Sequence, residues 1–289
     1  MSGTPLPVIG TVTTIAATVD AIDAIIAWSI ANASRLGYFA ALYKRITLAV
    51  GAAVSDGVFD DGPRMERFDV AFAGRYFAAL NGYFHPGRFP PAPQSWLVAF
   101  DAAVRHDPIV LQHMLSGINA HIDLDLGIAS HEVAPGARLH TLHGDFDRIN
   151  AVLAGQVNAT LDGIHEISPA LADLYTVLAQ SETFLIDVAV RNLRDSAWRF
   201  ATVLAATPRF SHGVWIWARD RHVAAQAEAI YRPPSLAGVI DEVIAEIAAR
   251  ESRDVVANIR ILDRIAARPA PIMTTLRTTG GHPSGAGMR

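Results

Sequence analysis

No cysteine occurs among the 289 residues. That excludes disulfides, thiolate metal ligands and a cysteine nucleophile, and it suits a reducing compartment, so a cytoplasmic location is expected. Charge is scarce as well. Charged residues make up 18% of the chain, the net charge is −4, and no run of Lys or Arg appears. The basic footprint of a nucleic-acid binder is therefore missing, and no nucleic-acid partner is expected. The apolar stretch 11–31 lacks a basic leading segment and is interrupted by Asp20 and Asp23, which argues against both a signal peptide and a membrane span. Also missing are G-x-G-x-x-G, the P-loop, G-x-S-x-G and H-E-x-x-H; His131-Glu132 and His165-Glu166 each lack the second His. The Glu-x-x-His pairs of a ferritin-like di-iron bundle are absent too.

What the chain has is apolar residues at helical spacing. Hydrophobic residues make up 51% of it, enough for a large core, and no alternating strand-type pattern or internal repeat appears. Ile15, Val19, Ile22, Ile25 and Ile26 mark a first helix over 13–34. Further helices are expected over 35–54, 64–80, 96–106, 107–126, 144–166, 168–206 (kinked near Ser181), 220–230 and 235–267. The connector 85–93 holds four prolines and reads as a packed loop. Residues 131–143 read as irregular, and Trp215 and Trp217 as loop residues that pack in the core or line a cavity. The expectation is one all-α domain over 1–267, an orthogonal or bundled multi-helix fold with a central polar-lined cavity, followed by a flexible tail over 268–289.

The helix opened by Asp107-Pro108 is the most unusual stretch, because His113, Asn119, His121, Asp123 and Asp125 interrupt its apolar stripe of Leu111, Leu115, Ile118, Ile122 and Leu126. At about 100° per residue, His121 and Asp125 fall about 40° apart, His113 lies on a neighbouring angle, and Asn119 and Asp123 share the other flank. Ionisable groups beside a core-facing stripe are costly unless paired, hydrogen-bonded or metal-bound. A His and an Asp at i, i+4 can share a divalent ion or act as an acid–base pair; equally, they can be a hydrogen-bonded core pair with Asp123 solvated.

Two further groups stand out. In His143-Gly-Asp145-Phe-Asp147-Arg-Ile-Asn150, Asn150 falls inside the apolar stripe and needs a polar partner; the His121–Asp125 pair is the economical one. Asp145 reads as a helix N-cap, with a metal ligand as the other reading. Downstream, Asp187, Arg191, Arg194, Asp195 and Trp198 share one helix face opposite Leu185, Ala189, Leu193 and Phe200. They read either as exposed i, i+4 ion pairs or as an arginine clamp for an anion at a pocket mouth.

The pattern resembles an uncharacterised bacterial family, domain of unknown function 5995. The resemblance rests on Gly37-Tyr-Phe-Ala-Ala-Leu-Tyr43 with Thr47, Gly57-x-Phe59-x-Asp61 with Met65, Phe72-Ala73-x-Arg75-Tyr76, Leu111-Gln-His113, Asn119-Ala-His121-Ile-x-x-Asp125-Leu126, Asp145-Phe146 with Asn150, and Arg194 with Ala197-Trp198. It covers most of 35–205. It implies an all-α fold and no settled activity, and it supports treating His121, Asp125 and Asn150 as one unit.

The function expected from these residues is an all-α enzyme acting on a small, largely apolar substrate by lyase- or cyclase-type chemistry. His121, Asp125 and Asn150 are the candidate catalytic residues. His113, His121, Asp125 and Asp145 are the candidate ligands for a divalent ion (Mg, Zn, Mn or Fe). Arg191, Arg194, Trp198, Tyr43 and Arg75 are the candidate substrate contacts. A terpene-cyclase-like version lacks Asp-Asp-x-x-Asp, since Asp60-Asp61 runs into the helix-breaking Gly62-Pro63. The alternatives are a helical protein that binds a small ligand without catalysis, and an oligomeric module, most simply a homodimer, joined through its first or last helix.

Overall fold

The computed structural model describes residues 4–171, 182–232 and 237–270. Within them the regular structure is helical, and the one β-type pairing is an isolated bridge between Pro86 and Phe89 in the proline-rich connector. α1 (Ile15–Ala31) begins where the Thr14 hydroxyl accepts the Ala17 N–H. α3 (Gly62–Phe84) begins where the Asp61 carboxylate accepts the Arg64 N–H beside Pro63. Short polar side chains of this kind satisfy first-turn donors that the helix itself cannot. Between them lies α2 (Leu36–Ser55), and α4 (Gln94–Ala102) follows the connector.

The motif helix is not one regular helix. α5 (Val110–Ile118) passes without a break into a π-helical segment, Asn119–Asp125, and then into α6 (Leu126–Val133). The N–H of Leu126 reaches the carbonyl of His121, five residues back, the wider turn that defines a π-helix. α5 starts at Val110 rather than at the expected Asp107-Pro108, because Asp107 is spent on an ion pair with Arg105. A short 3₁₀ turn (Gly136–Arg138) then leads into α7 (Leu139–Ile167), so the stretch expected to be irregular is largely helical.

α8 (Glu182–Ala206) is followed by a 3₁₀ turn (Arg209–Ser211) and α9 (His212–Tyr231). The last expected helix is two, α10 (Ala237–Arg250) and α11 (Val255–Ala266), and Asp254 restarts the second by capping Ala257. The kink expected near Ser181 lies outside the described residues. Trp215 and Trp217, expected inside, are helical and exposed, as are the nearby Phe210 and Val214. Ile216, the residue between them, is the one that packs inward, against Phe200, Leu204 and Val223.

Two segments form the centre. α2 touches α1, α3, α5, α7 and α11, while the π-helical segment touches α3, α4, α5, α6, α8 and α9. α1 and α11 spend Ile22, Ile25, Ile259 and Leu262 on this core. α5 can approach α2 closely because residue 117 is Gly: a Cβ there would lie 2.5 Å from the Phe39 ring. The first residues of the expected tail are docked. The Arg268 carbonyl accepts from Arg45, and Ala270 exchanges two hydrogen bonds with Gln156; 271–289 lie outside the described residues.

Candidate functional site

In the π-helical segment every residue but Ile122 is buried. A helix this enclosed must send its polar side chains somewhere, and it sends them two ways. Asn119 donates to the Val223 carbonyl of α9 at 2.9 Å. Asp123, expected to be solvated, is buried and pairs with Arg219 of α9 at 2.5 Å, which also bonds the Asp123 carbonyl and the Ser196 hydroxyl. That flank is a structural tie between the motif and α9.

The other flank carries His121 and Asp125. His121 Nδ1 lies 3.2 Å from Asp125 Oδ2, which also accepts the Trp96 indole N–H at 2.8 Å, while Asp125 Oδ1 accepts Arg75 Nε at 3.1 Å. Arg75 reaches on to Glu132 at 3.2 Å. With three donors around it, Asp125 is a fixed acceptor, so His121 carries its proton on Nδ1 and leaves a lone pair on Nε2. Nε2 is buried and has no hydrogen-bond partner. Phe72 stacks on the imidazole at 3.6 Å and the Tyr43 ring meets it edge-on at 4.6 Å. Burial lowers the His121 pKa, and the hydrogen bond and charge of Asp125 only partly offset it; the ring is neutral at neutral pH.

His121 lines a cavity of about 80 Å³ whose walls are mostly apolar, among them Phe39, Met65, Phe68, Ile122 and Leu126, and whose polar lining is Tyr43, Asp69, His121 and Arg194. Tyr43 Oη and Asp69 Oδ2 are buried without a hydrogen-bond partner. Burial, and then the negative charge of Asp69, raises the Tyr43 phenol well above its ordinary value. Burial, with a smaller contribution from Glu66, pushes the Asp69 carboxyl up to about 7. Leu42, Ile46, Ile118, Ile122 and Leu153 also line a second, apolar cavity of about 220 Å³ that runs on toward Leu161 and Val190.

The remaining expected residues are placed differently. Asn150 does not reach His121 or Asp125: its Oδ1 accepts Arg194 Nε at 2.6 Å. The arginine clamp is not formed, because Arg194 is buried on the inner face of α8 with Ala197, Ala201 and Leu204, whereas Arg191 is on the exposed side. Ala189, expected to face the core, is exposed, and the side chain of Asp187 falls outside the described residues. Trp198 packs on Phe146 and His143 at 4.8 and 4.6 Å and borders a separate surface cleft.

Nor do the expected metal ligands converge. His113 is buried beside Tyr38 and Tyr231, with both ring nitrogens unpartnered; burial, with Arg35 and Arg105 nearby, lowers its pKa to about 3. Asp145 is no N-cap, since α7 begins at Leu139. It binds the N–H groups of Asp60 and Asp61 and the guanidinium groups of Arg64 and Arg148 at 2.6–3.1 Å, leaving no free lone pair aimed at an ion. Among the described residues no three His, Asp or Glu side chains gather where they could hold a metal. The donor set does not fit a divalent cation.

Asp69 and Trp96 were not picked out from the sequence. Asp69 falls on the Met65–Phe72–Tyr76 stripe of α3, where helical spacing marks it, like Asn150, as a polar residue on a buried face. Trp96 carries no local signal; its indole N–H is matched to Asp125 only by the tertiary fold.

The model of a family of unknown function, DUF5995, matches residues 15–233. The chain belongs to this family. The match contains every residue that lines the two cavities, and it ends before α10 and α11, although α11 packs on α2 and α7. No curated protein and no solved structure matches the chain. Among the described residues no helix is long and apolar enough to cross a membrane.

Proposed function

We propose that this DUF5995 member is an enzyme that takes a small, largely apolar substrate into the cavity beside His121 and acts on it by general acid–base catalysis, in a lyase-, cyclase- or isomerase-type step. The observation that carries this reading is the state of the His121 imidazole: one nitrogen is held by Asp125, while the other is unpartnered on a cavity wall. A base in that setting accepts a proton through Nε2, and Asp125 stabilises the imidazolium that forms. The Asp69 carboxyl, raised to about 7, and the neutral Tyr43 phenol supply or receive the compensating proton. Perturbed acids and bases gathered at one apolar cavity are the pattern of a functional site.

The reading needs no metal. Asp125 is committed to three donors, and His113 and Asp145 serve elsewhere. The substrate is a small molecule rather than nucleic acid, and the cysteine-free, acidic composition supports a cytoplasmic setting. The homodimer, joined through the first or last helix, stays in the reading as well; sedimentation of the full chain tests it.

The experiment is proton exchange in D₂O. Apolar ketones, aldehydes and acids with activated C–H bonds are incubated with the protein, and deuterium incorporation is followed by NMR. The wild-type protein is expected to accelerate exchange at one such position, unaffected by a chelator, and His121→Gln is expected to lower the rate by roughly 10²- to 10⁴-fold with the fold intact. If a ligand binds but exchange is equal in wild type and His121→Gln, the cavity is a binding site without catalysis. The tight aromatic packing of His121 by Phe72 and Tyr43 favours that second reading.

A further inference from the structure

Arg194 is 3% exposed. Its hydrogen bonds go to neutral oxygens, Nε to Asn150 Oδ1 at 2.6 Å and Nη2 to the Phe146 carbonyl at 2.5 Å, and its guanidinium lies 4.2 Å from the centre of the Phe146 ring. Among the described residues no carboxylate pairs with it; Asp147 and Asp195, whose charges reach it, are themselves exposed. The other cations at the core are compensated. Lys44 pairs with Asp23 and Asp263, Arg64 and Arg148 with Asp145, Arg75 with Asp125, and Arg219 with Asp123. Arg45, equally buried and also without a carboxylate, bonds the carbonyls of Ile265 and Arg268 at the C-terminal end of α11, where the helix dipole is negative. Arg194 instead meets the carbonyl of Phe146 within α7, and no helix end offsets its charge.

A buried, unpaired cation is costly unless something neutralises it, and Arg194 lines the cavity that also holds His121. Of its five N–H donors, two are used. Three remain, enough for a two-pronged bond to a carboxylate. A phosphate or diphosphate carries more negative charge than one guanidinium answers, and among the described residues no second Lys or Arg lines the cavity. The neighbouring apolar cavity of about 220 Å³, which shares the walls Leu42, Ile46, Ile118, Ile122 and Leu153 with this one, exceeds the roughly 150 Å³ that is known to hold benzene in a protein interior.

We infer that the ligand of this cavity is a monocarboxylic acid with an aliphatic or aromatic body, that its carboxylate is bound by Arg194, and that its apolar body lies between α2, α5 and α7. Asn150 is a positioning residue: it fixes the guanidinium through Nε. This assignment rests on the cavity reading proposed above and names the chemical class of what fills it.

The test compares straight-chain acids, octanoate and decanoate, with the alcohols of equal length, octanol and decanol, by calorimetric titration of the full-length protein near neutral pH. The acids are expected to bind at least about tenfold more tightly than the alcohols, one charge-assisted pair being worth that factor or more. In Arg194→Met, which keeps a flexible, unbranched stem and removes the charge, the acids are expected to lose the preference while the alcohols bind as before. Arg194→Lys is expected to retain part of it. Equal affinity of acids and alcohols for the wild-type protein overturns the carboxylate assignment and leaves the cavity reading standing. No binding of either class by folded wild-type protein overturns both. Should Arg194→Met fail to fold, the comparison in the wild type and in Arg194→Lys still decides.

Discussion

Asp145 and Asp69 are both buried carboxylates, on neighbouring helices of the same core, and they are opposites. Asp145 has a donor for each lone pair. Burial raises its pKa, but the Asp60 N–H, Arg64, Arg148 and the Asp61 N–H together hold it below the ordinary carboxylate range. Asp69 has no hydrogen bond at Oδ2, and burial with the nearby Glu66 takes it up to about 7. A saturated buried group ties elements together, here the α2–α3 loop to α7. An unsaturated group on a cavity wall does the fold no service and is free to meet a ligand. The same contrast separates the two flanks of the motif helix: Asn119 and Asp123 are spent on α9, while His121 keeps Nε2 open.

The saturated side breaks hardest. Asp145→Ala leaves two backbone N–H groups and two arginines without their acceptor, and removing one partner of a buried ionic cluster costs on the order of 4 kcal/mol. Urea denaturation should show that loss, with octanoate affinity unchanged under conditions where the variant is folded. A loss below about 1 kcal/mol would mean that the Asp145 cluster ties nothing, and the contrast with Asp69 would fall.

The unsaturated carboxylate has the opposite pH signature. The folded-state pKa of Asp69 lies above its unfolded value of 3.8, so its contribution is full below about pH 4 and is lost as pH rises to about 7. Asp145, whose pKa is lowered, contributes above the ordinary carboxylate range and loses that contribution in acid. Each pKa unit corresponds to about 1.4 kcal/mol, so Asp69 accounts for roughly 3 kcal/mol of declining stability between about pH 5 and pH 8. Asp69→Asn should flatten that decline and be more stable than the wild type at the alkaline end. Parallel pH profiles for the two proteins would place the Asp69 charge in solvent and remove it from the cavity.

Both halves of this contrast were partly legible in the residue pattern. Helical periodicity exposed the all-α fold and set His121 and Asp125 apart from Asn119 and Asp123, because apolar spacing survives the change of turn. The π-helical segment itself was not legible, since it is fixed by the helices packed around it rather than by any residue within it. The partners of buried polar groups were equally hidden. Asn150 needed one, which its position on an apolar stripe made plain, but that the partner is Arg194 follows from the packing of α8 on α7. Periodicity alone puts Arg194 on the exposed face of α8, because it counts as polar and a periodicity argument has no means of knowing that a cavity faces it; Arg191 and Asp195 are exposed and Phe200 is buried, as that pattern has them.

The smallest expected effect is the sharpest test of the contrast. Tyr43 is buried in the middle of α2, and loss of a hydroxyl from such a site ordinarily lowers stability, because a hydrogen bond goes with it. Tyr43 Oη has no well-formed hydrogen bond to lose, only a weak interaction with the Thr47 side chain. Tyr43→Phe keeps the ring that meets His121 edge-on and removes one unsatisfied oxygen. Its stability should match the wild type or exceed it by up to about 1 kcal/mol, while His121-dependent exchange falls. A variant that loses about 2 kcal/mol with exchange intact would make the phenol a structural group like Asp145. The polar lining of the cavity would then be reduced to His121, Asp69 and Arg194, with the burden of supplying the second proton resting on Asp69 alone.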